Sequence, residues 1–273
     1  MRLLSGSARL AGVIGWPVAH SRSPRLHGTW LNRYGIDGAY VPFAVRPADF
    51  SAVVPALAAA GLRGVNVTIP HKEAAFALCD EVTDHAARLG AVNTLVFADG
   101  RITGMNTDGY GFIANLHAAG IALGGPALIL GAGGAARAIA GALAEAGAAV
   151  TISNRTAERA AAVADTLPGA KLLDWAARSA ALGDYALLVN TTSLGMTGHA
   201  PLEIDLARAP AGMAVADIVY APLVTPLIDA ARARGLTAVE GLGMLLHQAV
   251  PGFAAWFGLT PVVDDELARI VGA

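Results

Sequence analysis

Lys72 draws attention first by residue type. Of the 19 basic residues in the chain only Lys72 and Lys171 are lysine; the rest are arginine. Arginine keeps its proton in a protein, whereas a lysine held partly out of water can release one. Lys72 closes the stretch Asn66-Val67-Thr68-Ile69-Pro70-His71-Lys72, where a short apolar strand, 64–69, runs into a proline and the next turn presents the ammonium. Position alone is also consistent with a solvated first-turn lysine. Asp108, in Asn106-Thr107-Asp108-Gly109, is the acid that can work with it. A neighbouring carboxylate keeps a lysine charged and oriented, and such a couple can pass a proton to or from a substrate hydroxyl. Taken alone, Asp108 is equally an acid at a helix start, favoured there by the helix dipole.

Two hydroxyls offer a place for an anion. In His20-Ser21-Arg22-Ser23-Pro24 a serine followed by proline reads as a helix N-cap with proline at the first helical position. The free N–H groups of that helix start favour a carboxylate, and Ser21 and Ser23 are spaced so that both could reach one. Ser23 alone can be explained as a cap; Ser21 has no such structural task in the sequence. Gln248 is the odd polar residue on a long apolar helix, either partly exposed or hydrogen-bonded to a bound molecule. The histidines at 20, 27, 71, 85, 117, 199 and 247 show no metal-ligand spacing, so no metal is expected.

The glycine turn carries a different chemistry. Residues 127–130 form a short apolar run that leads into Gly131-Ala132-Gly133-Gly134-Ala135-Ala136, then an alanine-rich helix, then a second strand, 149–153. Strand, G-x-G-x-x-A, helix and strand within about thirty residues is the setting of a dinucleotide site. Gly131 makes the tight turn, Gly133 admits a pyrophosphate at the helix N-terminus, and Ala136 allows close helix–strand packing. The second strand ends in Asn154-Arg155-Thr156, with Arg159 one turn on, where an NAD site would carry an acid. A guanidinium there would clamp a 2′-phosphate, so NADP is expected. Thr156 can also cap the following helix, and Arg159 can also be a solvated helix-face residue.

These groups must be held by ordered elements, and the chain supplies them. Apolar strands at 10–14 and 40–45, helices from Ser23 and over 47–60, and a hairpin of 92–97 with 101–105 joined by Asp99-Gly100 predict a small α/β domain with a mixed sheet. Buried strands at 127–130, 149–153, 185–189, 214–219 and 237–240, alternating with helices, predict a doubly wound, Rossmann-like parallel sheet. The expected organisation is a substrate-binding domain over 1–108, an NADP-binding domain over 109–238, and C-terminal helices over 239–273, kinked at Pro251, that return to the first domain.

Composition limits the alternatives. The 273 residues are 55% hydrophobic and 15% charged, with a net charge of −2, which argues against a nucleic-acid partner. One cysteine, Cys79, excludes an internal disulfide. No apolar run is long and uninterrupted enough to span a bilayer, so a cytoplasmic protein without a membrane partner is expected. Oligomeric state is not encoded legibly, and a homodimer is compatible with the sequence.

Together the motifs resemble the shikimate dehydrogenase family, within the shikimate/quinate dehydrogenases, along essentially the whole chain. The resemblance rests on residues 20–24, 66–72, Gly90-Ala91-Val92-Asn93-Thr94, 106–109, 131–135, 154–156 and Gly241-Leu242-Gly243-Met244 with Gln248, in the family's order. It implies reversible, NADPH-dependent reduction of 3-dehydroshikimate to shikimate in aromatic amino-acid biosynthesis. It further implies that Ser21 and Ser23 hold the substrate carboxylate. Thr68, Asn93, Asp108, Tyr220 and Gln248 would bind ring hydroxyls and frame the carbonyl. Lys72 would be catalytic with Asp108 as partner, and Gly131, Ala132, Gly133, Gly134 and Ala135 would cradle the pyrophosphate. Asn154, Arg155, Thr156 and Arg159 would take the 2′-phosphate, and Ile218 and Gly241 would lie near the nicotinamide; many relatives have methionine where this chain has Ile218. A quinate or dual quinate/shikimate dehydrogenase is the nearest rival, disfavoured by the intact serine pair and the basic Asn154-Arg155-Thr156. A non-catalytic NADP-binding sensor would keep the glycine turn but have no need of Lys72 with Asp108.

Overall fold

Alternation of short apolar strands with helices builds two units, and each carries its own sheet. The computed structural model describes residues 3–273. One unit comprises the chain up to Thr107 together with Gln248–Ala273; the other is the continuous segment Asp108–His247.

The first unit contains β1 (Arg9–Gly15), α1 (Ser23–Arg33), β2 (Gly38–Ala44), α2 (Phe50–Ala59), β3 (Gly64–Val67), α3 (Lys72–Ala77), β4 (Glu81–Val82), α4 (Asp84–Leu89), β5 (Thr94–Ala98) and β6 (Arg101–Met105). The sheet order is β2-β1-β3-β5-β6-β4. β1 lies parallel to β2 and β3, whereas β5 runs against both β3 and β6, so the sheet is mixed as expected. Asp99 and Gly100 join β5 to β6 with φ of 52° and 74°, the paired left-handed residues that a type I′ hairpin turn requires. Ile14, Val65, Val67, Phe50, Val54, Ala75 and Leu95 close over one another in a buried cluster beneath α2 and α3.

The second unit contains α5 (Asp108–Ala118), β7 (Ala127–Leu130), α6 (Gly134–Glu145), β8 (Val150–Ser153), α7 (Ala157–Ala164), β9 (Lys171–Leu172), β10 (Leu187–Asn190), β11 (Ala214–Asp217), α8 (Pro226–Ala233) and β12 (Thr237–Val239). Its sheet, ordered β12-β11-β10-β7-β8-β9, is parallel throughout. β7, β8, β10 and β11 are buried at every position, which fits strands covered on both faces. Ala127 and Ile129 face one apolar cluster and Leu128 and Leu130 another, the period-2 alternation of a strand between two helical layers. The chain ends in α9 (Gly241–Phe257), with Pro251 inside it, and α10 (Asp265–Gly272); the division between units falls within α9.

Three local readings need correction. Ser23 is the first residue of α1 and its side chain does not cap the helix; instead Ser21 Oγ accepts the Ser23 N–H at 3.3 Å. Thr156 stands at the N-cap of α7 but makes no capping hydrogen bond. The helix expected over 47–60 opens with a 3₁₀ turn, Pro47–Asp49, because proline and the acid at its end favour a tight entry before α2. β4, α4 and β9 are additional elements, too short to show a period in the sequence.

Candidate functional site

In the first unit the polar groups gather at one end of the sheet. Parallel pairing brings the carboxyl ends of β1, β2 and β3 together, and because β5 is antiparallel to β3, Thr94 lies opposite Asn66. Met105 pairs with Thr94, so Asn106 and Thr107 leave β6 at the same end. Thr68 follows β3, held by its N–H to the Ile14 carbonyl at 2.9 Å. Gly15 permits this: a Cβ there would stand 2.6 Å from the Thr68 methyl. The loops after β1 and β3 are tied by the Trp16 N–H to the Ile69 carbonyl at 3.1 Å.

Lys72 opens α3, partly buried, and its carbonyl accepts the Val92 N–H at 2.9 Å, which ties it to the segment that leads through Asn93 into β5. His71, the residue before it, is only 2% exposed, bonded through Nε2 to the Val45 carbonyl at 2.8 Å and stacked on Phe50, so it anchors the turn.

Asn93 is the hub of a buried relay. Its Oδ1 accepts the Thr107 N–H at 2.9 Å, its Nδ2 donates to Thr107 Oγ1 at 3.1 Å, and Thr107 Oγ1 in turn donates to Gln248 Oε1 at 3.4 Å. On its other side Thr94 Oγ1 donates to Asn93 Oδ1, Asn66 Nδ2 to Thr94 Oγ1, and the Tyr40 hydroxyl to Asn66 Oδ1 at 2.6 Å. Burial pushes the Tyr40 phenol well above its ordinary range, with a hydrogen bond to Ser23 offsetting part of that. The relay therefore links Tyr40, on β2, to Gln248, on α9, through uncharged groups. Asn66, Thr94 and Thr107 lie in the sequence motifs without an assigned role there, and Tyr40 lies outside them; only the pairing register joins the four. Asp108 follows Thr107 directly, buried, as the first residue of α5.

In the second unit, Gly131, Ala132, Gly133, Asn154, Arg155 and Arg159 line one cleft of about 280 Å³, together with Trp175, Thr191, Thr192, Ser193 and Leu194. Gly131 has φ +115°, and a Cβ there would meet Thr191 Oγ1 at 2.5 Å, so only glycine fits. Gly133 N-caps α6 with open space around it, and Gly134 and Ala135 form the helix's first turn. Ala136 is fully buried against the sheet. Asn154 Nδ2 donates to the Thr156 carbonyl at 2.9 Å, bracing the basic turn. An open helix N-terminus flanked by two exposed arginines fits a pyrophosphate with an additional phosphate.

The far wall of the cleft rests on a buried carboxylate. Asp217, 2% exposed, accepts from Asn190 Nδ2 at 3.0 Å, the Val219 N–H at 3.0 Å and Thr225 Oγ1 at 2.7 Å. Asn190 Oδ1 then receives the Thr192 N–H and hydroxyl, and Thr192 Oγ1 the Leu194 N–H. Burial pushes the Asp217 carboxyl up, and its three donors pull it back. Ile218 and Gly241 are not among the cleft-lining residues but meet one another: a Cβ on Gly241 would stand 2.5 Å from the Ile218 carbonyl atoms. Tyr220 follows β11, half-buried. Among the described residues no cluster of His, Cys, Asp or Glu could hold a metal ion, and no helix is long and apolar enough to cross a membrane.

A parallel sheet with its glycine turn, basic strand end and threonine loop around one cleft defines a dinucleotide-binding protein of the doubly wound class, here in one chain with a mixed-sheet unit. Residues 13–95 match the family model of the shikimate dehydrogenase substrate binding domain, and residues 122–194 that of shikimate/quinate 5-dehydrogenase. The shikimate dehydrogenase (NADP(+)) of Acidiphilium cryptum is 71% identical over 99% of this chain and 98% of its own length. That of Rhodospirillum rubrum is 56% identical over 98% and 99%. The crystal structure of shikimate 5-dehydrogenase from Thermus thermophilus in complex with NADP(H) and shikimate superposes with a TM-score of 0.88 at 39% identity, covering 97% of this chain and 98% of that one. The chain belongs to the NADP-dependent shikimate dehydrogenase family.

Proposed function

We propose that this chain catalyses the reversible reduction of 3-dehydroshikimate to shikimate with NADPH, in the cytoplasm, as a step of aromatic amino-acid biosynthesis. The observation that supports the reading is that Ser21, Ser23, Thr68, Lys72, Asn93 and Gln248 all belong to one unit, whose strands β1, β3 and β6 end together.

In this reading Ser21 and Ser23 take the substrate carboxylate at the start of α1. Ser21 Oγ already accepts the Ser23 N–H, which leaves its own proton to donate to an anion. Thr68, Asn93, Asp108, Tyr220 and Gln248 hold the ring hydroxyls and fix which carbon faces the reductant. The relay through Thr107 restrains the amides of Asn93 and Gln248 before substrate arrives, lowering the ordering cost of binding. Lys72 stabilises the negative charge that develops on the substrate oxygen or protonates it, with Asp108 as its acidic partner, so that the pair is an acid–base or an electrostatic couple. Bound NADPH supplies the hydride. Gly131–Ala135 hold its pyrophosphate, Asn154, Arg155, Thr156 and Arg159 its 2′-phosphate, and Ile218 and Gly241 border the nicotinamide.

The test is the loss of NADPH absorbance with purified protein and 3-dehydroshikimate, and its reverse with shikimate and NADP+. Turnover is expected with this pair. No turnover, or turnover of quinate with NAD at a rate equal to shikimate with NADP+, would overturn the assignment.

A further inference from the structure

Trp175 lines the cleft at Gly131, yet neither the glycine turn nor the basic strand end accounts for it. We propose that Trp175, held by Arg178, is the surface on which the adenine of the dinucleotide stacks, and that it sets much of the cofactor affinity. The proposal rests on the NADP reading of this cleft.

The order of the strands carries the first part of the argument. β7, β8 and β9 are neighbours in the parallel sheet. The phosphate-binding turn follows β7 and the basic turn follows β8. A dinucleotide with its pyrophosphate on the first and its adenosine ribose on the second must carry its base onward, toward the segment after β9. Trp175 stands three residues beyond β9, and it is the one aromatic side chain among the cleft-lining residues described. An indole offers a flat apolar face that a purine can cover.

The second part is how rigidly the indole is mounted. Asp174 accepts the Ala176 N–H at 2.7 Å and fixes the short 3₁₀ turn Trp175–Ala177. The guanidinium carbon of Arg178 lies 4.4 Å from the indole centroid. Its Nη1 donates to the Trp175 carbonyl at 2.6 Å, and its Nε and Nη2 donate to the Glu203 carbonyl at 3.1 and 2.5 Å. These three bonds commit Arg178 to backbone carbonyls and to the indole, which makes it a positioning residue. Phosphate recognition is left to Arg155 and Arg159. Trp175 also packs on the apolar cluster around Leu128 and Leu188, so the ring is anchored on the core while remaining partly exposed at the cleft.

The experiment compares full-length wild type with Trp175→Phe and Trp175→Leu. 2′,5′-ADP, which carries the adenine and the 2′-phosphate without the nicotinamide, is titrated by calorimetry, and NADPH kinetics are measured on the same samples. Trp175→Leu is expected to weaken 2′,5′-ADP about tenfold, with Trp175→Phe within about threefold of wild type. The KM for NADPH should rise in parallel, with kcat within about twofold. Binding by Trp175→Leu within twofold of wild type would overturn the proposal, as would a fall in kcat with KM unchanged. Should Trp175→Leu fail to fold, indole emission decides: 2′,5′-ADP is expected to quench wild type and to leave Trp175→Phe unquenched, and equal quenching in both would overturn the idea. If wild type itself does not bind 2′,5′-ADP, the NADP reading of the cleft fails, a result distinct from unchanged binding in the variants.

Discussion

Replacing the Lys72 ammonium by a group of similar length separates its chemistry from its packing. Lys72→Met keeps the hydrocarbon stem at the start of α3 and the backbone bond to Val92, and removes only the charge and the proton. Loss of one acid–base group costs about 10²-fold or more in rate. We expect kcat for shikimate oxidation to fall by at least about that factor, with little change in the dissociation constant of NADP+. Steady-state kinetics beside a direct cofactor titration would show it; retention of more than a tenth of the wild-type kcat would remove Lys72 from the chemistry. A second residue bears on stability. His27 is fully buried among Trp30, Tyr40, Phe253 and Trp256, stacked on Tyr40 at 3.9 Å, and neither ring nitrogen has a hydrogen-bond partner. Burial pulls it down to about 3, with nearby Asn66 opposing only in part. The unfolded chain takes up this proton near pH 6.5, so between pH 6.5 and 3 the unfolded state binds more protons than the folded one. Stability from this group is complete above pH 6.5 and is lost as pH falls, by about 1.4 kcal/mol per pH unit at most. The partly buried His247, also lowered by burial, acts in the same sense. His27→Phe keeps the ring and deletes the titration; urea unfolding at pH 7 and pH 5 should show a flatter dependence in the variant. An equal slope in both proteins would mean that His27 does not carry the effect.

At the scale of elements, the wall of the cofactor cleft depends on strand ends that polar side chains hold in place. Asp217 joins β11 to β10 through Asn190 and to the start of α8 through Thr225, whose Oγ1 also caps the helix at Ile228. Asp217→Asn is nearly the same shape but presents an amide to a site built from three donors. Leaving buried donors unmet costs about 1–3 kcal/mol each. We expect a stability loss of roughly 2–4 kcal/mol for this variant and a raised KM for NADPH, since Asn190 orients Thr192 at the cleft. An unshifted melting temperature would show that the carboxylate is not the organising group. Much of this scale is legible in the sequence. Gly131-Ala132-Gly133 after an apolar run, and Asp99-Gly100 between two others, each demand one backbone geometry, and both geometries are present. What the sequence hides depends on pairing at a distance. β9 has two residues, and nothing local announces that Lys171 will pair beside Thr151. Trp175 looks in sequence like any core aromatic. The serine pair exchanges tasks: the sequence makes Ser23 the cap, yet Ser21 Oγ takes the Ser23 N–H and the Ser23 side chain makes no capping bond.

For the whole molecule, the two units differ in how the chain supplies them, and this predicts which can stand alone. Both apolar clusters of the parallel-sheet unit are drawn from residues between Phe112 and Met244, within the continuous segment Asp108–His247. The mixed-sheet unit is closed by chain from the far end. Trp256 Nε1 donates to the Leu95 carbonyl at 3.0 Å, Trp30 Nε1 to the Val262 carbonyl at 3.0 Å, and Arg22 Nη1 to the Val271 carbonyl at 2.8 Å. Arg33 bridges Asp264 and Glu266 at 2.8 and 2.9 Å, surface pairs worth at most about 1 kcal/mol each. The larger loss is apolar: Phe253 is fully buried, and Trp256 and Phe257 are each 3% exposed. Removing one such ring from a core costs about 3–5 kcal/mol, so removing three, about 9–15 kcal/mol, takes up most or all of the roughly 5–15 kcal/mol that holds a domain folded. A fragment of residues 108–247 is therefore expected to melt cooperatively and to bind 2′,5′-ADP within about tenfold of the full chain, because the cleft-lining residues all lie inside it. A fragment ending at Thr107 should lack a cooperative transition, and adding residues 248–273 through a flexible linker should restore one. Circular dichroism melts and calorimetry on the three pieces decide the matter: a cooperatively folding 1–107 fragment, or a 108–247 fragment that stays unfolded, would contradict this division of the chain's stability.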